Sequence, residues 1–175
     1  PPGIDYYQFK KQENVIPQIP PVEVKQQQDT GIKINLKSLI ILAPKELQNI
    51  IDKEKYYKMT IGVPQSINDL YNIAYEIEKD FNQKGYPLVR VILPVQELEP
   101  EQASVFFKVI DGFIEKIDLS KVPKAQTLRT YAYLKPLINK KNMTLRLLER
   151  QLLLASNSAG LKLGFVSGGS TVLSG

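Results

Sequence analysis

The sequence of 175 residues contains no cysteine and no histidine. Thiolate nucleophiles, imidazole bases, zinc fingers and histidine-based metal sites all need side chains that this chain lacks. Three glutamates, Glu97, Glu99 and Glu101, lie close together in sequence, but they belong to a polar hairpin loop and we do not interpret them as general acid-base groups. We therefore predict that the protein is not an enzyme and has no catalytic residue, metal site, cofactor or small-molecule substrate.

Long apolar runs are also missing. No segment is apolar for long enough to span a bilayer as a helix, and the composition, 43% apolar and 23% charged, is typical of a globular protein. The N-terminus lacks the charged and then apolar pattern of a secretory signal peptide. This pattern indicates either the mature form of an exported protein or a cytosolic protein, and the absence of cysteine does not distinguish the two.

The charge balance is basic, with a net charge of +5 and a pI near 9.2. Such a balance is compatible with nucleic acid, anionic lipid or an acidic protein as partner. The lysines are scattered, however, and no glycine-aromatic ribonucleoprotein pattern or zinc-finger spacing accompanies them. We interpret the charge as a solvated surface and predict no nucleic-acid partner.

The first 30 residues are rich in proline, glutamine and charge, and show little apolar periodicity. Pro17, Pro20 and Pro21 favour extended conformations and withhold backbone donors from strand pairing. We predict a proline-rich N-terminal linker over residues 1–30.

A regular pattern begins at Ile32. Residues 32–43 predict a strand that enters a core, and Pro44 predicts the first turn of a helix. Ser66 and Asp69 have the spacing of a capping box, which predicts a second, amphipathic helix. Gly85 suits a left-handed helix end, and two strands, at residues 88–93 and 104–110, are predicted after it.

The same order of elements then begins again, offset by roughly 75 to 80 residues. A strand follows Gly112, two helices follow the strand, and Gly160 falls where Gly85 fell in the first copy. The last residues are rich in glycine and serine, which indicates that the closing strand of the second copy is missing or incomplete. The predicted fold class is α+β, with two tandem β-α-α-β-β units, each a three-stranded sheet covered by two helices.

Four short motifs carry a family resemblance: Gly-Tyr-Pro at 85–87, Leu-Pro-Val-Gln at 93–96, Asp-Gly at 111–112 and Glu-Arg at 149–150. Together with the order of elements, they resemble the tandem POTRA (polypeptide-transport-associated) domains of two-partner secretion transporters, outer-membrane proteins of the hemolysin activator (TpsB) type. The resemblance implies a first POTRA domain at residues 31–111 and a second at 112–175, the second without its last strand.

The resemblance also implies a function. Transporters of this family export one large adhesin or hemolysin through a β-barrel that follows the POTRA domains. The implied role is a docking module at the periplasmic face of the outer membrane. Its implied partners are the N-terminal secretion domain of the exported polypeptide and the protein's own C-terminal barrel. The alternative is a POTRA-type scaffold of a general barrel-assembly factor or of a cell-division protein.

The candidate docking site is a free sheet edge. If residues 104–110 form the central strand, residues 88–93 lie at the edge, where an extended polypeptide can add a strand. Arg90 and Pro94 are also typical protections of a guarded edge, so both interpretations stay open. Tyr71 and Tyr75 either line a groove beside that strand or are ordinary, partly buried side chains. The predicted partner-binding residues are Tyr71, Tyr75, Leu88, Val89, Arg90, Val91 and Ile92.

Overall fold

A computed structural model describes the backbone of residues 31–158, 164–166 and 170–174, and the side chains of residues 31–156. The predicted linker and Gly160 lie outside these residues. The described chain is a mixture of helices and strands, which confirms the predicted α+β class. It forms two compact units: the described residues up to 84 and residues 89–111 make up the first, and residues 85–88 and those from 112 onward make up the second.

The first unit is a three-stranded sheet with two helices. Its elements are β1 (Leu36–Leu42), α1 (Lys53–Thr60), α2 (Ile67–Gln83), β2 (Val89–Ile92) and β3 (Ala103–Asp111). The strand order is β1-β3-β2, with β1 parallel and β2 antiparallel to β3. This order confirms that the strand after Gly85 lies at a sheet edge.

Helix α2 begins and ends as its sequence predicts. The backbone N–H of Ser66 donates to the Asp69 carboxylate at 2.8 Å, and the N–H of Asp69 donates to the Ser66 hydroxyl at 3.0 Å, so the capping box is present. Gly85 follows with a φ of 97°, which is the left-handed conformation that favours glycine. The apolar stripe of this amphipathic helix is buried at Leu70, Ile73, Ala74, Ile77 and Phe81.

The helix predicted to begin at Pro44 is wrong. Residues Lys45–Leu47 form a single 3-10 turn, and α1 begins only at Lys53, where the Asp52 carboxylate accepts a hydrogen bond from the N–H of Glu54. Leu47 and Ile51 are nevertheless buried. Apolar residues at helical spacing therefore report burial correctly at Leu47 and Ile51, but they do not distinguish a helix from a turn.

The helices cover one face of the first sheet. Alternate residues of β3 are buried, namely Ala103, Val105, Phe107 and Val109. Tyr56 of α1 is buried too, and its hydroxyl donates to the Asp80 carboxylate of α2 at 2.7 Å. Burial and the nearby Asp80 raise the pKa of the Tyr56 hydroxyl above its ordinary value, so it stays a donor and ties α1 to α2.

The second unit repeats the architecture. Its elements are β4 (Phe113–Asp118), α3 (Thr127–Leu134), α4 (Leu145–Ser158), β5 (Gly164–Val166) and β6 (Ser170–Ser174). The strand order is β4-β6-β5, so β6 occupies the central position that β3 occupies in the first unit. The prediction that the closing strand is missing is therefore wrong. A central strand is paired on both sides, and this context outweighs the low strand propensity of glycine and serine.

Residues 85–88 pack within the second unit, although they precede β2 in the chain. Leu88 lies in a buried apolar cluster with Ile114 of β4, Leu148 of α4 and six other buried residues of the second unit. The Gly85 carbonyl accepts a hydrogen bond of 2.8 Å from the N–H of Leu145. A Cβ atom at Gly112 would collide with the Leu88 carbonyl oxygen. The close approach to Leu88 explains the glycine of the Asp-Gly motif, and a separate hydrogen bond ties the first residue of the Gly-Tyr-Pro motif to Leu145.

Candidate docking edge

The seven predicted partner-binding residues do not share one surface. Leu88 is buried in the core of the second unit. Val89 and Val91 are buried beneath the first unit's helices, and Ile92 is 37% exposed. On α2, Tyr75 is 41% exposed and Tyr71 is half-buried. Ile92, Tyr71 and Tyr75 are therefore surface residues of the first unit. The Leu88 side chain is buried and is not available to a partner.

One stripe of α2 follows the edge strand. Residues 71, 75, 78 and 82 are three or four positions apart and therefore share one side of the helix. The C-terminal half of this stripe contacts β2 through two polar side chains, Glu78 and Asn82. The N-terminal half of the stripe carries the two tyrosines.

The outward-facing backbone groups of β2 already have partners. The N–H of Val91 donates to the Glu78 carboxylate at 3.1 Å. The carbonyl of Val89 accepts from the Asn82 amide and from the Arg90 guanidinium, each at 3.4 Å. The expectation of unpaired groups along the whole edge is thus wrong for Val89 and Val91. Sequence reasoning missed Glu78 and Asn82. Their spacing places them on the same side of α2 as Tyr71 and Tyr75, but it does not indicate that they contact β2.

Glu78 and Arg90 are charged residues with little access to solvent, 6% and 7% exposed respectively. Burial raises the pKa of the Glu78 carboxyl, while the hydrogen bond from Val91 and the charge of Arg90 oppose that shift. Burial lowers the pKa of the Arg90 guanidinium, and the charge of Glu78 opposes the change. Each charge therefore reduces the cost of burying the other at this edge.

We expect Glu78 to make the first unit less stable as the pH rises. Because its pKa is higher in the folded than in the unfolded chain, the folded chain binds more protons between the two values, and stability falls with pH across that window. Glu78→Gln should remove this fall. Denaturant unfolding of parent and variant from pH 4 to 7 should show the variant gaining stability relative to the parent. A constant difference would contradict the prediction.

Beyond β2, the side-chain amide of Gln96 makes the hydrogen bonds to β3 that a strand backbone would make. The paired register of β2 and β3 ends at Ile92 and Lys108, and Pro94, two residues further on, has no N–H to donate. The Gln96 amide takes its place: its nitrogen donates to the Phe106 carbonyl and its oxygen accepts from the Phe106 N–H, each at 2.9 Å. This contact explains the Leu-Pro-Val-Gln motif and holds residues 93–96 along β3.

The tyrosines and the chain after β2 lie along a common line. Asn82 reaches Val89 and Glu78 reaches Val91, so α2 and β2 run in opposite directions, with two strand residues for each helical turn. The next turns of α2 carry Tyr75 and Tyr71, and the next strand positions are residues 93 and 95. Val95 is fully exposed. We define the docking groove as Tyr71, Tyr75 and Val95.

A further apolar surface was not predicted from the sequence. On the sheet face opposite the helices, Ile40 is 46% exposed and pairs in register with the half-buried Phe106. Leu42 and Ile92 are exposed on either side of Lys108. The first sheet thus has one buried face and one face with exposed aliphatic side chains.

The described residues contain no group of three or more carboxylates that could hold a metal ion. They also contain no helix that is long and apolar enough to cross a membrane. The β2 edge and the docking groove offer backbone groups, tyrosines and an aliphatic side chain, all of which can contact a polypeptide.

No family model matches the chain. A curated relative, the heme/hemopexin transporter protein HuxB of Haemophilus influenzae, is 31% identical over 90 residues. These residues are 51% of this chain and 16% of that protein. The chain therefore spans a small part of the relative that it matches.

Solved structures share the fold. CdiB from Escherichia coli matches 88% of this chain with 29% of its own, at a TM-score of 0.59 and 15% identity. CdiB from Acinetobacter baumannii matches 94% of this chain with 34% of its own, at a TM-score of 0.54 and 15% identity. POTRA1-3 of the periplasmic domain of Omp85 from Anabaena matches 81% of this chain with 64% of its own, at a TM-score of 0.51 and 12% identity. These comparisons confirm the predicted resemblance to POTRA domains, and the chain has the POTRA fold.

Proposed function

We propose that this chain is the periplasmic part of an outer-membrane transporter of the two-partner secretion type. In this proposal its first unit binds an extended segment of one exported polypeptide and passes it to the protein's own β-barrel. The similarity to the transporter HuxB and the fold shared with CdiB support the transporter class. The periplasmic location is supported by the Omp85 neighbour, whose POTRA units belong to a periplasmic domain.

The observation that carries the proposal is the chemistry of the β2 edge. Glu78 supplies an acceptor to the Val91 N–H, and Asn82 supplies a donor to the Val89 carbonyl. These are the two kinds of group that the backbone of an added strand would supply. The edge is therefore shaped for a polypeptide backbone, and the docking groove beside it supplies apolar contact area.

The occupant that fits this site is an unfolded chain with alternating apolar side chains. Such a chain presents backbone donors and acceptors along one edge and side chains on two faces. Tyr75 and Val95 are exposed side chains that can cover one apolar face. A folded partner could use the edge in this way only through an exposed edge strand of its own.

Site-directed cross-linking tests the proposal, and these 175 residues contain no cysteine of their own to compete with an introduced one. In the bacterium that carries the full-length transporter, Tyr75→Cys with a short thiol-reactive photo-cross-linker should form an adduct with the exported protein during secretion. The adduct should contain the protein that disappears from the medium when the transporter gene is deleted.

Tyr131→Cys in α3 is the matched control, because Tyr131 is 40% exposed and Tyr75 is 41% exposed. We expect no comparable adduct from it. Equal adducts from both positions, or none from Tyr75→Cys while secretion continues, would contradict the proposal. Adducts with many unfolded barrel proteins would favour a barrel-assembly scaffold, the second candidate, which the Omp85 similarity supports.

A further inference from the structure

The edge of β2 is closed by side chains of its own unit. The Glu78 carboxylate and the Asn82 amide reach across from α2, and the Arg90 guanidinium folds back from β2 itself. All three contact the outward groups of only two residues, Val89 and Val91. An incoming strand needs those same groups and cannot bind them while the side chains are in place.

The three contacts differ from those of an ordinary protected edge. Lysines or prolines usually protect an edge by making pairing unfavourable. Here the Glu78 oxygen lies 3.1 Å from the Val91 nitrogen and the Asn82 nitrogen lies 3.4 Å from the Val89 oxygen, so acceptor and donor occupy the places of a neighbouring backbone. Such a cover satisfies the edge without a strand, and it can be exchanged for one.

The burial of Glu78 favours that exchange. Glu78 is 6% exposed as a residue, so its carboxylate has lost most of its contact with water. Displacement by a peptide carbonyl would return the charge to water, while the Val91 N–H would keep an acceptor. The cover therefore holds the edge in the absence of partner and costs little to release when a strand arrives.

We propose that Glu78, Asn82 and Arg90 form a displaceable cover on the β2 edge, and that a docking strand binds by replacing these side chains with its own backbone. This inference rests on the proposed function for its biological partner, but not for its test. The cover prevents β2 from pairing with any strand that lacks further contacts in the docking groove. It thereby makes binding depend on apolar side chains as well as on backbone.

The test uses the 175-residue chain and a defined probe, an end-capped ten-residue peptide in which valine and threonine alternate. Glu78→Ala removes the acceptor from the Val91 N–H. We expect the variant to bind the probe about fivefold more tightly than the parent, the equivalent of one net hydrogen bond that no longer competes. Glu78→Gln is the matched control, because its amide oxygen can still accept from Val91, and it should bind no more tightly than the parent.

A residue-level measurement accompanies the titration. The Val91 amide should exchange its hydrogen faster in Glu78→Ala than in Glu78→Gln, while the amides of β3 remain equally protected. If Glu78→Ala does not fold, Asn82→Ala opens the Val89 carbonyl instead and should bind the probe more tightly in the same way. Concentration-dependent dimers of Glu78→Ala alone would also support an opened edge.

Equal or weaker probe binding by a folded Glu78→Ala, with unchanged exchange at Val91, would overturn the inference. The proposed function would survive that result, because cross-linking of the exported protein from Tyr75 does not require a cover. Conversely, the cover can weaken binding of the probe peptide even if cross-linking from Tyr75→Cys finds no exported protein.

Discussion

Leu88→Ala should destabilise the second unit by about 2 to 5 kcal/mol, the usual cost of removing a fully buried leucine side chain. Leu88 is 3% exposed and belongs to the apolar cluster around Ile114, Leu134 and Leu148. Removal of its side chain leaves a cavity that this small core cannot fill without moving its helices. Unfolding by denaturant, followed by circular dichroism, measures the loss.

Two further measurements make this result specific. Ile92→Ala, four residues later in the same apolar run, removes a side chain that is 37% exposed and should cost about 1 kcal/mol or less. Amide exchange after Leu88→Ala should increase in β4 and α4 but not in α2 and β3. A loss no larger than that of Ile92→Ala, or faster exchange confined to the first unit, would show that Leu88 does not support the second core.

The prediction from sequence succeeded where local signals agreed with one another. The capping box at Ser66, the apolar stripe of α2 and the left-handed Gly85 all indicated the same helix, and the structure contains it. The edge position of β2 followed from the order of the elements and the need to pair the hairpin. Each of these features depends on residues that are close in sequence or on a general rule of sheet topology.

The errors have a physical cause in contacts between distant residues. The 3-10 turn after Pro44 and the strand β6 are determined by what packs or pairs against them, not by their own propensities. Leu88 alternates correctly with its neighbours, yet the chain passes from one unit to the other at Val89. The alternation of apolar residues in the sequence does not indicate where the chain passes from one unit to the other.

Part of the candidate site could be predicted from the sequence. Tyr71 and Tyr75 could be placed beside an edge strand, because helical spacing puts them next to the core stripe. The roles of Glu78 and Asn82 could not be predicted, because a polar residue beside an apolar stripe is usually solvated. Only the three-dimensional contact with Val91 identifies Glu78 as the group that closes the edge.

The second large effect concerns the docking groove. We expect the double variant Tyr71→Ala and Tyr75→Ala to weaken binding of the exported partner's N-terminal secretion domain by about 2 to 3 kcal/mol, with roughly 1 to 2 kcal/mol from each tyrosine and incomplete additivity between neighbours. Both side chains lie on the surface of α2 and make no hydrogen bond that holds the described fold together. The variant should therefore unfold at nearly the same denaturant concentration as the parent.

The measurement that tests docking at the first unit most directly is a calorimetric titration of that secretion domain into three forms of the chain: the parent, the double tyrosine variant and Tyr131→Ala. Tyr131 is exposed on α3 of the second unit and controls for the loss of a surface tyrosine. We predict parent-like affinity for Tyr131→Ala and a weakening of about 30- to 150-fold for the double variant. Equal affinity for all three folded forms would contradict docking at the groove beside β2.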